Sequence, residues 1–209
     1  MQTILKLAFF FLFSVFALGP VHAQGTLDKE NILYIDLKSG RVAIQLRPDL
    51  APNHVARIKK LAREGFYDDI VFHRVSAGFM AQTGDPEGTG MGGSKYPDLK
   101  AEFSREPFRR GTVGAARTPD PDSANSQFFI CLEAAPHLNG QYTVWGQVIR
   151  GMERVDTIKV GDPAQDGLVT NPDKMLKVQV ASEASDHSVL REPPSPAMDA
   201  PQAERRGSF

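Results

Sequence analysis

The chain has 209 residues, a formal net charge of −1 and 41% hydrophobic residues, which suits one globular domain with extensions. A near-neutral charge gives no electrostatic reason to expect binding to nucleic acid or to an anionic membrane surface. The single cysteine, Cys131, excludes an intramolecular disulfide.

Residues 1–23 have the pattern of a cleavable secretory signal peptide. Lys6 supplies a positive charge, residues 7–18 form an apolar run, and Val21 and Ala23 occupy the −3 and −1 positions of a cleavage site. The run is shorter than the roughly 18 residues that span a bilayer core, although an uncleaved N-terminal anchor is the alternative. We therefore predict cleavage after Ala23, a periplasmic or secreted protein, and no stable membrane association after cleavage.

The predicted domain spans residues 24–182, and the composition changes after it. Residues 183–209 contain four prolines and no apolar periodicity. Such a segment buries too little surface to offset the entropy lost on ordering. We predict that it is a disordered, Pro-rich C-terminal tail.

The first predicted elements of the domain are a hairpin and a helix. Strands over 32–37 and 41–46 flank a tight turn, and the alternation in the second strand predicts one solvated face. A helix is predicted over 51–64, because Pro52 suits a first turn and apolar residues recur at helical spacing before Gly65.

The rest of the domain contains mainly short strands. They are predicted at 71–75, 79–82, 112–116, 127–132, 142–149 and 175–181, with a short helix at 151–160. Seven or eight short strands with two helices indicate a barrel or a sandwich. The glycine-rich segment 84–97 lacks the GK[ST] ending of a phosphate-binding loop and no apolar helix follows it, so we interpret it as a long surface loop that could line a groove.

Two stretches carry the residues of a candidate site, 71–85 (VFHRVSAGFMAQTGD) and 126–132 (SQFFICL). They combine one cation and amide side chains with large apolar residues, which suits a peptide-binding pocket. Neither stretch has a nucleophile beside a base or paired carboxylates, and His54 and His137 lack ligand spacing, so we predict no metal site. Phe72, Phe128, Ile130 and Trp145 are expected in the core, and His73 is expected to be a structural histidine with its hydrogen bonds satisfied.

The segments FHRV, GFMAQTGD, SQFFI and HLNGQYTVWG, in this order, resemble a cyclophilin-type peptidyl-prolyl cis/trans isomerase of the exported bacterial kind. The resemblance covers residues 32–181. It implies a mainly β fold, a closed eight-stranded antiparallel β-barrel capped by two α-helices, with the active groove on the outer surface because side chains fill a barrel of this size. It also implies that the enzyme needs no cofactor, acts on proline-containing unfolded or partly folded polypeptides and assists the folding of exported proteins. Nothing in the sequence indicates more than a monomer.

The same resemblance assigns the site. The catalytic residue falls on Arg74, and the substrate-binding residues fall on Phe79, Met80, Gln82, Ala116, Arg117, Gln127, Phe129, His137, Leu138 and Tyr142. Three of these depart from the best-known eukaryotic pattern. Arg117 replaces an asparagine, His137 replaces a tryptophan that binds the drug cyclosporin, and Tyr142 replaces a histidine at the edge of the groove.

Other functions fit parts of the pattern. A proline-peptide binding module would need the apolar pocket but not the charge of Arg74. A barrel that carries a lipophilic ligand would need a cavity inside the barrel, whereas the predicted interior residues are bulky. Arg74 therefore favours an isomerase, in which a cation stabilises the twisted amide.

Overall fold

The computed structural model describes residues 27–185. The predicted signal peptide and residues 186–209 of the predicted tail lie outside the described residues. Glu183 and Ala184, the first residues of that predicted tail, make contacts with the domain: the Glu183 carboxylate lies 2.6 Å from Nε of Arg63, and Ala184 is buried. Within 27–185, no helix combines the length and apolar character needed to span a membrane.

Eight strands form one antiparallel sheet in the described part of the chain. The strand order is β3-β4-β6-β5-β7-β2-β1-β8. Their bounds are β1 Ile32–Leu37, β2 Gly40–Leu46, β3 Arg74–Ser76, β4 Met80–Thr83, β5 Thr112–Ala115, β6 Phe128–Cys131, β7 Val144–Arg150 and β8 Lys177–Val180. The prediction of a mainly β fold with eight antiparallel strands is confirmed.

Helix α1 (Pro52–Arg63) packs against β7 and β8, and its N-terminus is capped by a distant residue. The two carboxylate oxygens of Glu102 accept the backbone N–H groups of Asn53 and His54 at 3.1 and 3.0 Å. They satisfy donors that a helix leaves free in its first turn.

Helix α2 (Met152–Val155) packs against β2 and is shorter than the predicted segment 151–160. After Val155 the chain tightens, because the N–H groups of Thr157 and Ile158 bond to carbonyls three residues back, at Arg154 and Val155. The apolar spacing of Met152, Val155 and Ile158 therefore marks a buried face on a turn rather than a long helix.

The core lies on the concave side of the sheet. Phe128, Ile130, Trp145 and Phe72 are all buried there, as predicted. The rings of Phe128 and Trp145 meet edge to face with centroids 5.3 Å apart, an arrangement that the aromatic quadrupole favours. These bulky side chains fill the interior and leave the outer surface of the sheet as the place for a site.

The prediction of a fully closed barrel is a slight overstatement. Strands β3 and β8 are the two edges of the sheet, and the segment 167–175 runs between them with isolated bridges at Arg74–Leu168 and Val71–Lys174. A continuous strand is interrupted there because Asn171 has a φ of 53° and Pro172 has no N–H to donate. The sheet is a curled half-barrel, and residues 71–73, predicted as strand, lie against this irregular segment.

The second face of β2 is also less solvated than predicted. Ala43 is fully buried in a small cluster on the outside of the sheet, formed with Ile32, Tyr34, Ala181 and Ala184. The chain that leaves β8 folds back over this face. An alternating strand pattern therefore identified one buried face correctly but missed the cover supplied by the C-terminal end of the domain.

Candidate active site

One row of paired positions on the outer face of the sheet brings the candidate residues together. Arg74 on β3 is the register partner of Gln82 on β4, Gln82 is the partner of Phe129 on β6, and Phe129 is the partner of Gly114 on β5. Side chains at directly paired positions of adjacent strands project from the same face. The register alone therefore aligns a cation, an amide and an aromatic ring within four strands.

Phe129 forms the apolar floor of the site, and two residues outside the predicted set support it. Phe108 stacks on Phe129 with ring centroids 5.7 Å apart. A Cβ atom on Gly114 would lie 2.6 Å from Cζ of Phe129 and 2.7 Å from Cε1 of Phe108, so no larger residue fits beneath the two rings. Gly114 thus allows both rings to lie against the strand.

Above this floor is a pocket of about 310 Å³. Ten of the eleven predicted site residues line it: Arg74, Phe79, Met80, Gln82, Ala116, Arg117, Phe129, His137, Leu138 and Tyr142. Gln127, the eleventh, lies behind Gln82 and lines the adjacent groove. The structure brings the predicted residues to one place, while the chemical role of each stays a prediction.

Arg74 stands at one wall of the pocket with its guanidinium held on several sides. Its Nη1 donates to Oε1 of Gln82 at 3.3 Å and lies 3.8 Å from Sδ of Met80. Its Nε and Nη2 donate to Asp166, on a loop that precedes β8. The hydrogen bonds from Arg74, together with its charge, lower the pKa of the Asp166 carboxyl below its usual value. The Nη1 edge is the part of the guanidinium that faces the pocket.

A chain of amides fixes which end of Gln82 faces the arginine. Gln127 Nε2 donates to the carbonyl oxygens of Gly90 and Gly92 at 3.0 and 2.8 Å, so its Oε1 is left to accept. Gln82 Nε2 donates to that oxygen at 2.9 Å, and Gln82 Oε1 is therefore turned toward Arg74. The carbonyls of the glycine-rich loop therefore fix the orientation of both side-chain amides, first that of Gln127 and through it that of Gln82.

Asp85 holds this glycine-rich loop in shape. Its buried carboxylate accepts the backbone N–H groups of Glu87, Thr89 and Gly90 at 2.6 to 2.9 Å. Burial alone would raise the pKa of Asp85, but the backbone N–H donors together outweigh it and hold the pKa below its usual value. The loop, predicted as a surface loop beside a groove, supplies structural acceptors to the site.

The rim of the pocket contains the residues that depart from the family pattern. The Arg117 guanidinium lies 4.3 Å from the centroid of the Tyr142 ring and donates from Nη2 to the carbonyl of Gln141 at 2.8 Å. Tyr142 meets Phe129 edge to face, and the His137 ring lies 5.3 Å from that of Phe79. The Arg117 side chain, which the sequence left without a role, ties two segments of the rim together.

One of the two backbone hydrogen-bonding groups of Ala116 is already occupied within the protein. Its N–H donates to the carbonyl of Gln127 at 3.0 Å, so a peptide in the groove could bond only to the Ala116 carbonyl.

His73, beside Arg74, differs from its prediction. It is buried, as expected of a structural histidine, but neither ring nitrogen has a hydrogen-bond partner among the described residues. Burial lowers the pKa of His73, with the nearby Arg74 acting in the same direction and Asp85 opposing it. A neutral ring suits this position next to the guanidinium. Within residues 27–185, no group of three or more His, Cys, Asp or Glu side chains is placed to hold a metal ion.

Sequence reasoning missed three residues of the site: Phe108, Gly114 and Asp166. Phe108 and Asp166 lie in irregular segments with no periodic pattern. Gly114 lies in a predicted strand, where an interior glycine is a recognised signal of close approach, so this residue could have been found.

Comparisons with known proteins agree with this geometry. The family model of the cyclophilin type peptidyl-prolyl cis-trans isomerase matches residues 32–180. A probable peptidyl-prolyl cis-trans isomerase of Brucella suis is 53% identical over 182 residues, covering 82% of this chain and 93% of that protein. Peptidyl-prolyl cis-trans isomerase B of Bacillus subtilis is 43% identical over 132 residues, covering 62% of this chain and 91% of that protein.

Solved structures show the same fold. A crystal structure of a cyclophilin from Hirschia baltica has a TM-score of 0.68 at 26% identity, covering 76% of this chain and 77% of that one. A cyclophilin type isomerase of Cryptosporidium parvum, crystallised in the presence of the dipeptide Ala-Pro, has a TM-score of 0.66 at 27% identity, covering 71% of this chain and 98% of that one. The chain belongs to the cyclophilin-type family and is a peptidyl-prolyl cis-trans isomerase.

Proposed function

We propose that this isomerase accelerates rotation about X-Pro bonds of exported polypeptides, and so assists their folding, by using Arg74 to stabilise the twisted imide. The observation that carries the proposal is the position of Arg74 Nη1 at the wall of an apolar pocket, between Gln82 Oε1 and Met80 Sδ.

The chemistry needs an electrostatic group rather than an acid or a base. The barrier to rotation is roughly 18–20 kcal/mol, because the nitrogen lone pair is delocalised into the carbonyl. In the twisted transition state that delocalisation is lost and the nitrogen regains its lone pair. A guanidinium N–H directed at this nitrogen stabilises the twisted state more than either planar state, which is the condition for catalysis.

The pocket supplies the second requirement, a fixed proline ring. Phe129, Met80 and Leu138 are buried at its base, and Phe79 and Tyr142 pack against the same cluster. An apolar pocket that holds the ring leaves the carbonyl side free to swing and excludes water that would weaken the field of Arg74.

The cellular setting of the proposal comes from the N-terminal sequence. A positive residue, a short apolar run and small residues at a cleavage site favour export to a periplasm or to the medium. Proteins that fold after translocation would then be the substrates. Mass spectrometry of the exported protein should find Gln24 at its N-terminus, and an intact Met1 would refute cleavage.

The isomerase mechanism is tested by exchange NMR on a Phe-Pro peptide with wild type, Arg74→Ala and Arg74→Lys. We expect Arg74→Ala to lower kcat/KM by about two orders of magnitude, as loss of a transition-state donor does, while peptide affinity falls only modestly. Arg74→Lys keeps the charge but loses the fork, so an intermediate rate is expected. Equal rates for wild type and Arg74→Ala would show that the isomerase does not use Arg74 to stabilise the twisted imide.

A further inference from the structure

We propose that Asp166 is a positioning residue that holds the guanidinium of Arg74 with its Nη1 edge toward the proline pocket. The inference rests on the role proposed for Arg74, and it adds a residue from a loop that carries none of the family's sequence motifs.

The contacts between Asp166 and Arg74 restrain the guanidinium in both position and orientation. Oδ1 accepts from Nη2 at 2.9 Å, Oδ2 accepts from Nε at 3.1 Å, and the backbone carbonyl of Asp166 also accepts from Nε at 2.9 Å. Two parallel bonds to one carboxylate define the plane of the guanidinium. With the Nε and Nη2 edge occupied, only the Nη1 edge remains for Gln82 and the pocket.

The loop that carries Asp166 is itself tied to the strand that carries Arg74. On β3, Val75 accepts the N–H of Gly161 at 2.9 Å and donates its own N–H to Gly167 at 2.8 Å. Asp162 closes the loop from within by accepting the N–H of Gly167 at 2.9 Å. The carboxylate is therefore presented to Arg74 by backbone bonds on both sides of it.

The backbone of Asp166 has the conformation that this presentation requires. Its φ is 53° and its ψ is 33°, the left-handed region that most side chains avoid and that aspartate and asparagine tolerate. Asparagine and glycine at this position would keep the loop conformation, so they isolate the carboxylate from the backbone.

The position of the charge suits a role in orientation. The Asp166 side chain is 82% exposed and that of Arg74 is 28% exposed, so water screens the carboxylate more than the guanidinium. Asp166 does not line the proline pocket but borders an adjacent cavity, and Arg74 and Gln82 line both. An exposed ion pair adds little to the stability of the fold. The effect of this one is to fix the position of the Arg74 guanidinium, whose positive charge still acts inside the pocket.

The test measures kcat and KM separately for Asp166→Gly and Asp166→Asn by exchange NMR on the Phe-Pro peptide. We expect Asp166→Gly to lower kcat about tenfold with KM within twofold, because a loosened catalytic group costs rate rather than binding. Asparagine keeps one acceptor for the guanidinium, so Asp166→Asn should recover part of the loss, to about threefold below wild type. In ¹⁵N relaxation measurements, the Arg74 Nη2 group should become more mobile in Asp166→Gly, because it loses its acceptor while the backbone carbonyl at position 166 still accepts from Nε.

Asp69 supplies a matched control, since it is also an exposed aspartate with a positive φ of 62° and an ion pair, at 3.8 Å to Lys174. Asp69→Gly and Asp69→Asn should leave kcat and the Arg74 signal unchanged. If Asp166→Gly keeps wild-type kcat while Arg74→Ala is inactive, the inference about Asp166 is overturned and the proposed function stands. If Arg74→Ala is fully active, both are overturned.

Discussion

Replacing Gln127 by leucine tests whether the amide chain orients Gln82, although Gln127 does not line the proline pocket. In the native protein, rotating the Gln82 amide by 180° would lose its bonds to both Arg74 and Gln127. The bond to Gln127 contributes about 1 kcal/mol and the bond to the charged Arg74 about 1.5 kcal/mol, so together they favour the observed orientation by roughly 2.5 kcal/mol. With leucine at position 127, the observed orientation leaves Nε2 of Gln82 without its acceptor, and this cost of about 1–3 kcal/mol offsets the bond to Arg74.

The effect on catalysis is bounded by the bond between Arg74 and Gln82. A hydrogen bond to a charged donor contributes about 1.5–3 kcal/mol, and the 3.3 Å separation of Nη1 and Oε1 places this one at the low end. About 1.4 kcal/mol corresponds to a factor of ten in rate. We therefore expect Gln127→Leu to lower kcat/KM roughly three- to tenfold with the fold intact.

The assay is the exchange NMR measurement on the Phe-Pro peptide, with Gln179→Leu as the matched control. Gln179 is a half-buried glutamine on β8, at the far edge of the sheet, and its replacement should leave kcat/KM unchanged. A Gln127→Leu protein whose kcat/KM stays within twofold of wild type would show that the amide chain does not orient the site.

Three further predictions concern stability and reactivity. Gly84→Ala should lower the free energy of unfolding by about 2–3 kcal/mol, because Gly84 has a φ of 91° and an added Cβ would collide with the Ser126 carbonyl. Thermal melts test this prediction, and an unchanged Tm would refute it. Acidification from pH 7 to 5 should destabilise the fold, because burial lowers the pKa of His54 and of His73. Below about pH 6.5 these histidines bind protons in the unfolded chain but not in the folded one, and this favours unfolding. Each histidine adds a slope of at most about 1.4 kcal/mol per pH unit until the pH reaches its folded pKa, and urea titrations that give equal stability at both pH values would contradict this. Burial raises the pKa of Cys131 to about 12, so iodoacetamide at pH 8 should modify it only after unfolding, and rapid labelling of the native protein in mass spectra would refute this.

Four residues of the candidate pocket lie in short motifs on regular strands, which made them predictable from sequence: Arg74, Met80, Gln82 and Phe129. In β6, Phe128 and Phe129 are neighbours on opposite faces, and alternation alone sends one into the core and the other outward. The family resemblance then selected the outward face as the site. The ends of the strands were less predictable. Residues 71–73 were predicted as strand, but they lie against an irregular segment.

Only the tertiary structure decided what surrounds Arg74. Asp166 lies 92 positions away in the chain, on a loop with no apolar periodicity and no recognisable motif, and Phe108 comes from another irregular segment. Local sequence determines which face of a strand a side chain occupies, because that depends on a two-residue repeat. Which distant loop meets that face depends on strand register and on how the sheet curls, and those are set by the packing of the whole core.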